Sequence, residues 1–224
     1  MVWRRLAGPL LAVMLAMPSQ AADFRLLRLD GHTVKWGEPV LGEGAALTWS
    51  FAERRHVFPD AINCRVLEPL AGILKTAGVA PGESSDLFQD AFGLWEEVAG
   101  LTFTYVSDED AADILIGAQG EPTGIAFTNV WHEPHAETTV ATLTRATICF
   151  NPLMRWESRP DGSNDTYEIR HVAAHEIGHA IGLDHPGPTG ALMGYQYDEG
   201  SGLLQAGDVT GAVTLYGLRS TDAD

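Results

Sequence analysis

The stretch His175-Glu176-Ile177-Gly178-His179-Ala180-Ile181-Gly182-Leu183-Asp184-His185 holds three imidazoles and a carboxylate at spacings that suit a metal. On a helix, side chains at i and i+4 project from one face, one turn apart. His175 and His179 can therefore share one tetrahedral zinc at roughly 2.0–2.1 Å each. Gly182 permits a left-handed residue that ends the helix and turns the chain, and that turn can swing His185 back as a third ligand. Three protein ligands leave the fourth position for water, as in a catalytic rather than a structural zinc. Glu176 lies beside the first ligand and cannot share its direction. Its carboxylate is placed to take the proton of that water and later hand it to a leaving amine, while the zinc activates the water and polarises the carbonyl under attack.

Met193 follows inside Ala191-Leu192-Met193-Gly194-Tyr195. HExxHxxGxxH followed by a methionine turn is the metzincin signature, and the chain most resembles the matrixin branch, the matrix metalloproteases and their bacterial relatives. The flanks carry the resemblance across residues 46–217. Leu47-Thr48-Trp49 is similar to the opening LTYxI strand, Ala91–Phe103 to AFxxWxxVxxLxF, Ala112–Gly117 to ADIxI, and residues 206–217 to DDVxGIxxLYG.

The resemblance implies an α+β metzincin catalytic domain: a twisted, mostly parallel five-stranded sheet with three helices and zinc in the cleft below the edge strand. It implies a secreted zinc endopeptidase with His175, His179 and His185 as ligands and Glu176 as general base and acid. Met193 is expected beneath the metal as packing. Residues 124–128 are assigned to the edge strand that pairs with extended substrate. The pocket candidates are Gly124, Ile125, Ala126, Val172, Tyr195 and Tyr197.

Several positions depart from the family pattern. Gly194-Tyr195 stands where the family's LMYPxY has Tyr-Pro, while Tyr197 keeps the last Tyr; the change bears on cleavage preference. Gly207 stands where the first Asp of DDV is expected, while Asp208 remains to tie down the methionine turn. The PRCGxPD switch of animal matrixins is absent. Trp131–His135 does not match their second, structural zinc site and reads as a solvated loop, so one zinc is expected rather than two. Two other readings stay open: an inactive zinc-binding protein on the same scaffold, and a metalloamidase acting on a non-protein substrate.

With 224 residues and 45% hydrophobic side chains, the chain suits one domain with a real core. Its 14 basic and 30 acidic residues give a formal charge of −16, which argues against nucleic acid or an anionic membrane as partner. Protein or peptide substrates and a monomer are expected. The acidic balance also suits calcium, and Asp161-Gly162-Ser163-Asn164-Asp165 offers oxygen ligands, or equally a turn.

Residues 1–22 read as a signal peptide: Arg4 and Arg5, an apolar run too short to span a bilayer, then a small-residue cleavage site. That implies a secreted, periplasmic or extracellular location. In an exported chain Cys64 and Cys149 can pair, or they can pack as two buried thiols.

The positioning elements follow from periodicity. Residues 23–45 form an N-terminal segment ahead of a catalytic domain at 46–224; whether the segment packs over the cleft is open. Strands are expected at 46–51, 101–106, 112–117, 124–128 and 146–150. The spacing of Leu87, Phe88, Ala91, Phe92, Trp95 and Val98 predicts a helix over 86–98 with a core-facing stripe. Residues 66–77 read as helical and 151–164 as a loop. A capping-box start at Asp165 predicts the ligand helix over 166–183, with Ile169, Val172, Ala173, Ile177 and Ala180 inward and His171 on the surface.

Overall fold

The computed structural model describes residues 24–80, 82–159, 165–197 and 203–219; the expected signal peptide and most of the 161–165 candidate calcium loop lie outside them. In chain order the elements begin with β1 (Arg25–Leu26), β2 (Arg28–Leu29), β3 (His32–Lys35), β4 (Ala45–Phe51), β5 (His56–Val57) and β6 (Val66–Glu68). Then come α1 (Ala71–Thr76), α2 (Ser84–Glu96), β7 (Leu101–Tyr105), β8 (Ile114–Gln119), β9 (Ala126–Glu133) and β10 (Val140–Phe150). The chain continues through β11 (Trp156–Glu157), β12 (Tyr167–Glu168), α3 (Ile169–Ala180), β13 (Leu183–Asp184) and α4 (Ala206–Tyr216).

The heart of the sheet is β7-β4-β8-β10, all parallel, with β9 added antiparallel to β10. This is the expected five-stranded, mostly parallel arrangement, and the fold is α+β. Around it β2, β3, β5 and β6 extend the sheet to nine strands. β8 is buried along its whole length. A central strand covered on both faces loses its alternation, which is why Ile114-Leu115-Ile116 reads as a continuous apolar run.

The apolar stripe of α2 lies in the core as its spacing predicts, with Phe88, Ala91, Phe92 and Trp95 buried. Phe92 stacks against Trp49 of β4 and Phe103 of β7, with ring centroids 4.9 and 4.6 Å apart. Each such side chain contributes about 1.5–3 kcal/mol on burial. On its other flank α2 meets α3, where Trp95 Nε1 donates to Ala174 O at 3.0 Å.

Several sequence expectations are corrected. Four helices are described rather than three, since α1 is a separate short helix. Residues 66–68 are strand, because β6 finds β8 as partner. β9 starts at Ala126 and runs on to Glu133, so Trp131–Glu133 belongs to the sheet and not to a loop; Gly124 and Ile125 precede the strand. Residues 151–164 include β11, and its parallel pairing with β12 delays the ligand helix to Ile169. The N-cap is Glu168, with no side-chain cap; its amide donates instead to the Tyr197 hydroxyl at 2.9 Å. Cys64 and Cys149 are free, buried thiols in one small cluster with Ala52, Leu67 and Leu115. Among the described residues no helix is long and apolar enough to cross a membrane.

Candidate metal centre

α3 carries the site because everything behind it is held. Ile169, Val172, Ala173, Ile177 and Ala180 are buried, as their spacing predicts. A helix C-terminus leaves carbonyls without intrahelical partners. Here Trp36 Nε1 donates to Ala180 O at 2.7 Å and the Tyr216 hydroxyl to Ile181 O at 2.6 Å. Gly182, at φ +101°, then turns the chain into β13.

The turn brings the three imidazoles together. His175 Nε2 and His179 Nε2 lie 3.1 and 3.0 Å from His185 Nε2. His175 Nδ1 sits 2.7 Å from Leu192 O and His179 Nδ1 2.9 Å from Leu183 O. A carbonyl only accepts, so both Nδ1 atoms carry their proton and both Nε2 atoms are bare lone pairs in the neutral ring. His185 has at most one Nε2 proton to offer two such neighbours. The set is short of donors and suits a cation; four tetrahedral bonds of zinc length place ligand nitrogens about 3.3 Å apart.

Burial lowers the pKa of all three, helped at His179 by His175 and His185 and at His185 by His175. They are held neutral, the form that binds metal. Among the described residues this is the one cluster of three or more His, Cys, Asp or Glu side chains with converging ligand atoms. His132 instead approaches Asp30 at 3.5 Å, and His135 Nε2 lies 2.9 Å from Thr142 Oγ1.

Glu176 is buried, and burial pushes its carboxyl up to about 7 against a hydrogen bond from Thr128. Thr128 Oγ1 lies 2.7 Å from Glu176 Oε2 and 2.9 Å from Glu176 O. Met193 is buried against Gly178, where a Cβ would stand 2.2 Å from its Sδ. Asp208 holds the turn: its carboxylate accepts from the amides of Leu192, Met193 and Gln205 at 2.8, 3.1 and 2.8 Å.

The triad and Glu176 line a cleft of about 480 Å³, which also takes in Gly124, Ile125, Ala126, Val172, Tyr195 and Tyr197. β9, paired only with β10 among the described residues, borders it. In its wall Tyr197 packs its ring on Tyr167 and His171, 5.0 and 4.9 Å away. His171 is thus buried in the cleft wall and not on the surface, because Tyr197 covers it. Val130, Asp184 and Leu27 also line the cleft. Sequence reasoning missed Thr128, His171 and Leu27. The first and last have no local spacing to the motif, whereas His171, four residues before His175, was on view.

The matrixin profile matches residues 73–217. The hatching enzyme of Paracentrotus lividus is 30% identical over 153 residues, covering 65% of this chain and 24% of the relative. Stromelysin-1 of Rattus norvegicus is 35% identical over 151 residues, 64% of this chain and 31% of the relative. Matrix metalloproteinase-19 of Mus musculus is 33% identical over 135 residues, 59% of this chain and 25% of the relative. The matched region spans about a quarter to a third of these relatives. With that profile covering most of the folded region, and with three neutral imidazoles converging below an edge strand, the chain belongs to the matrixin family of zinc metalloendopeptidases.

Proposed function

We propose that the chain is an exported endopeptidase that hydrolyses protein or peptide substrates at a single zinc site. The observation that carries this reading is the convergence of three imidazole Nε2 atoms in one cleft with a buried carboxylate held by Thr128. His175, His179 and His185 would hold the ion, and a zinc on three imidazoles supplies an acidified water and an electrophile for the carbonyl. Glu176, which lines the same cleft as the three imidazoles, would take a proton from the attacking water and return it to the leaving amine. Thr128 keeps that carboxylate aimed.

The edge of β9 away from β10, without a strand partner among the described residues, aligns the substrate as an added antiparallel strand, so main-chain hydrogen bonds bind and side-chain pockets select. The part of the cleft lined by His171, Val172, Tyr195 and Tyr197 takes a substrate side chain beside the cut. Residues 1–22 direct export, and residues 46–224 form the catalytic domain, to which the N-terminal segment pairs through β1 and β3.

The test is Glu176→Ala alongside the parent, with zinc content measured and a peptide library digested. The variant is expected to keep its zinc and lose cleavage. Equal cleavage by both proteins overturns the role of Glu176. A parent that binds zinc and cuts no peptide points to the inactive scaffold or to amide substrates outside proteins.

A further inference from the structure

Two of the three imidazoles ride on α3, but His185 does not. It follows a two-residue strand beyond the Gly182 turn, and the partner of that strand comes from the start of the described chain. β1 pairs antiparallel with β13, Arg25 opposite Asp184 and Leu26 opposite Leu183. Leu27 N donates to Gly182 O at 2.8 Å, and Leu27 O accepts from Val34 N at 3.2 Å. The grip is close: a Cβ on Gly182 would stand 2.2 Å from Val34 O. Arg25 Nε lies 3.0 Å from one Asp184 oxygen, and the other accepts the His185 amide at 2.8 Å.

We propose that residues 25–27 are a positioning strap for the third metal ligand, and that the strap acts through its backbone pairing. The inference rests on the zinc reading of the site. A two-residue strand cannot fix its own direction, since neither residue has a partner within the segment. Without β1, His185 would have to be ordered at the moment of metal capture, and that ordering weakens binding. The Arg25 ion pair is secondary: its guanidinium side chain is 68% exposed, and exposed pairs contribute little. The backbone bonds of β1 are the part that matters.

The experiment uses the full chain and zinc alone. Leu27→Pro removes the amide that holds Gly182 O; Leu27→Met and Arg25→Ala keep it. Zinc affinity is read by competition with a chromophoric chelator, on protein shown to be folded by circular dichroism. Loss of an outer support for a metal ligand typically weakens binding about 10–100-fold. That loss is expected for Leu27→Pro, with the other two variants within about threefold of the parent. A folded Leu27→Pro that binds as tightly as the parent overturns the proposal.

Hydrogen exchange on the zinc-free parent gives a second reading should Leu27→Pro not fold. Residues 182–185 are expected to be protected along with α3; exchange there at the rate of open chain overturns the strap. This arm needs neither metal nor substrate. A protein that binds zinc and cleaves nothing would remove the peptidase reading and leave the strap standing.

Discussion

Thr128 Oγ1 stands 2.7 Å from Glu176 Oε2, so the edge strand and the carboxylate of the ligand helix are tied by one hydroxyl. The strand that would carry substrate therefore also aims the group that would move the proton. Thr128→Val is expected to lower kcat with KM and zinc content unchanged. A hydrogen bond to a charged group contributes about 1.5–3 kcal/mol, which corresponds to roughly a 10–100-fold fall in kcat. Thr128→Ser should restore most of it. Steady-state kinetics on a peptide substrate check this, and an unchanged kcat for the valine variant would break the link.

Asp208 supports the site from behind. Its carboxylate accepts the amides of Leu192 and Met193, and Leu192 O in turn holds His175 Nδ1. Asp208→Asn presents an amino group toward amide donors and leaves buried polar groups unmatched. Its expected cost is about 2–4 kcal/mol of stability, read by urea unfolding, with weaker zinc binding alongside.

Gly178 leaves room for Met193. An added methyl would stand 2.2 Å from Met193 Sδ and 2.9 Å from the Trp95 ring. Gly178→Ala is expected to destabilise by about 1–3 kcal/mol through overpacking. Introducing Met193→Ala into that variant should recover part of the loss, because the clashing sulfur is gone. Thermal unfolding of the single and double variants decides it.

Glu109 gives a pH signature away from the metal. Burial pushes its carboxyl up, but the hydrogen bonds from His56 and the Glu53 amide, with His56 and Arg54 nearby, outweigh it and lower the pKa. His56 Nε2 and Glu53 N are 3.0 and 2.7 Å from Oε2, and Arg54 pairs with Oε1. A depressed folded pKa means stability that is present above the unfolded value and lost as pH falls through the folded one. The parent should therefore lose stability relative to Glu109→Gln as pH drops below about 4, the ordinary carboxylate range. Paired urea titrations across that window test the sign.

What the sequence made legible was local. The i, i+4 histidines, the Gly182 turn and the α2 stripe are all read within a turn or two of chain, and each stands where its spacing places it. What escaped was set by partners far away. Thr128 and Glu176 are 48 residues apart. The start of α3 moved because β11 pairs with Tyr167-Glu168, a tertiary contact that overrides a capping signal. The N-terminal strands are two to four residues long, too short for periodicity to show, and the partners that tie β1 and β3 to the rest lie far on in β13 and β10.

The ends of the ligand helix's grip come from opposite parts of the chain. Trp36 and Tyr216 close the last carbonyls of α3, and the Trp36 amide donates to the Tyr216 hydroxyl at 3.0 Å across 180 positions. Contacts of such long range form late and slowly in folding. A chain still emerging residue by residue thus possesses the histidines without the aim: the last turn of the metal-bearing helix locks only once Tyr216 has joined it.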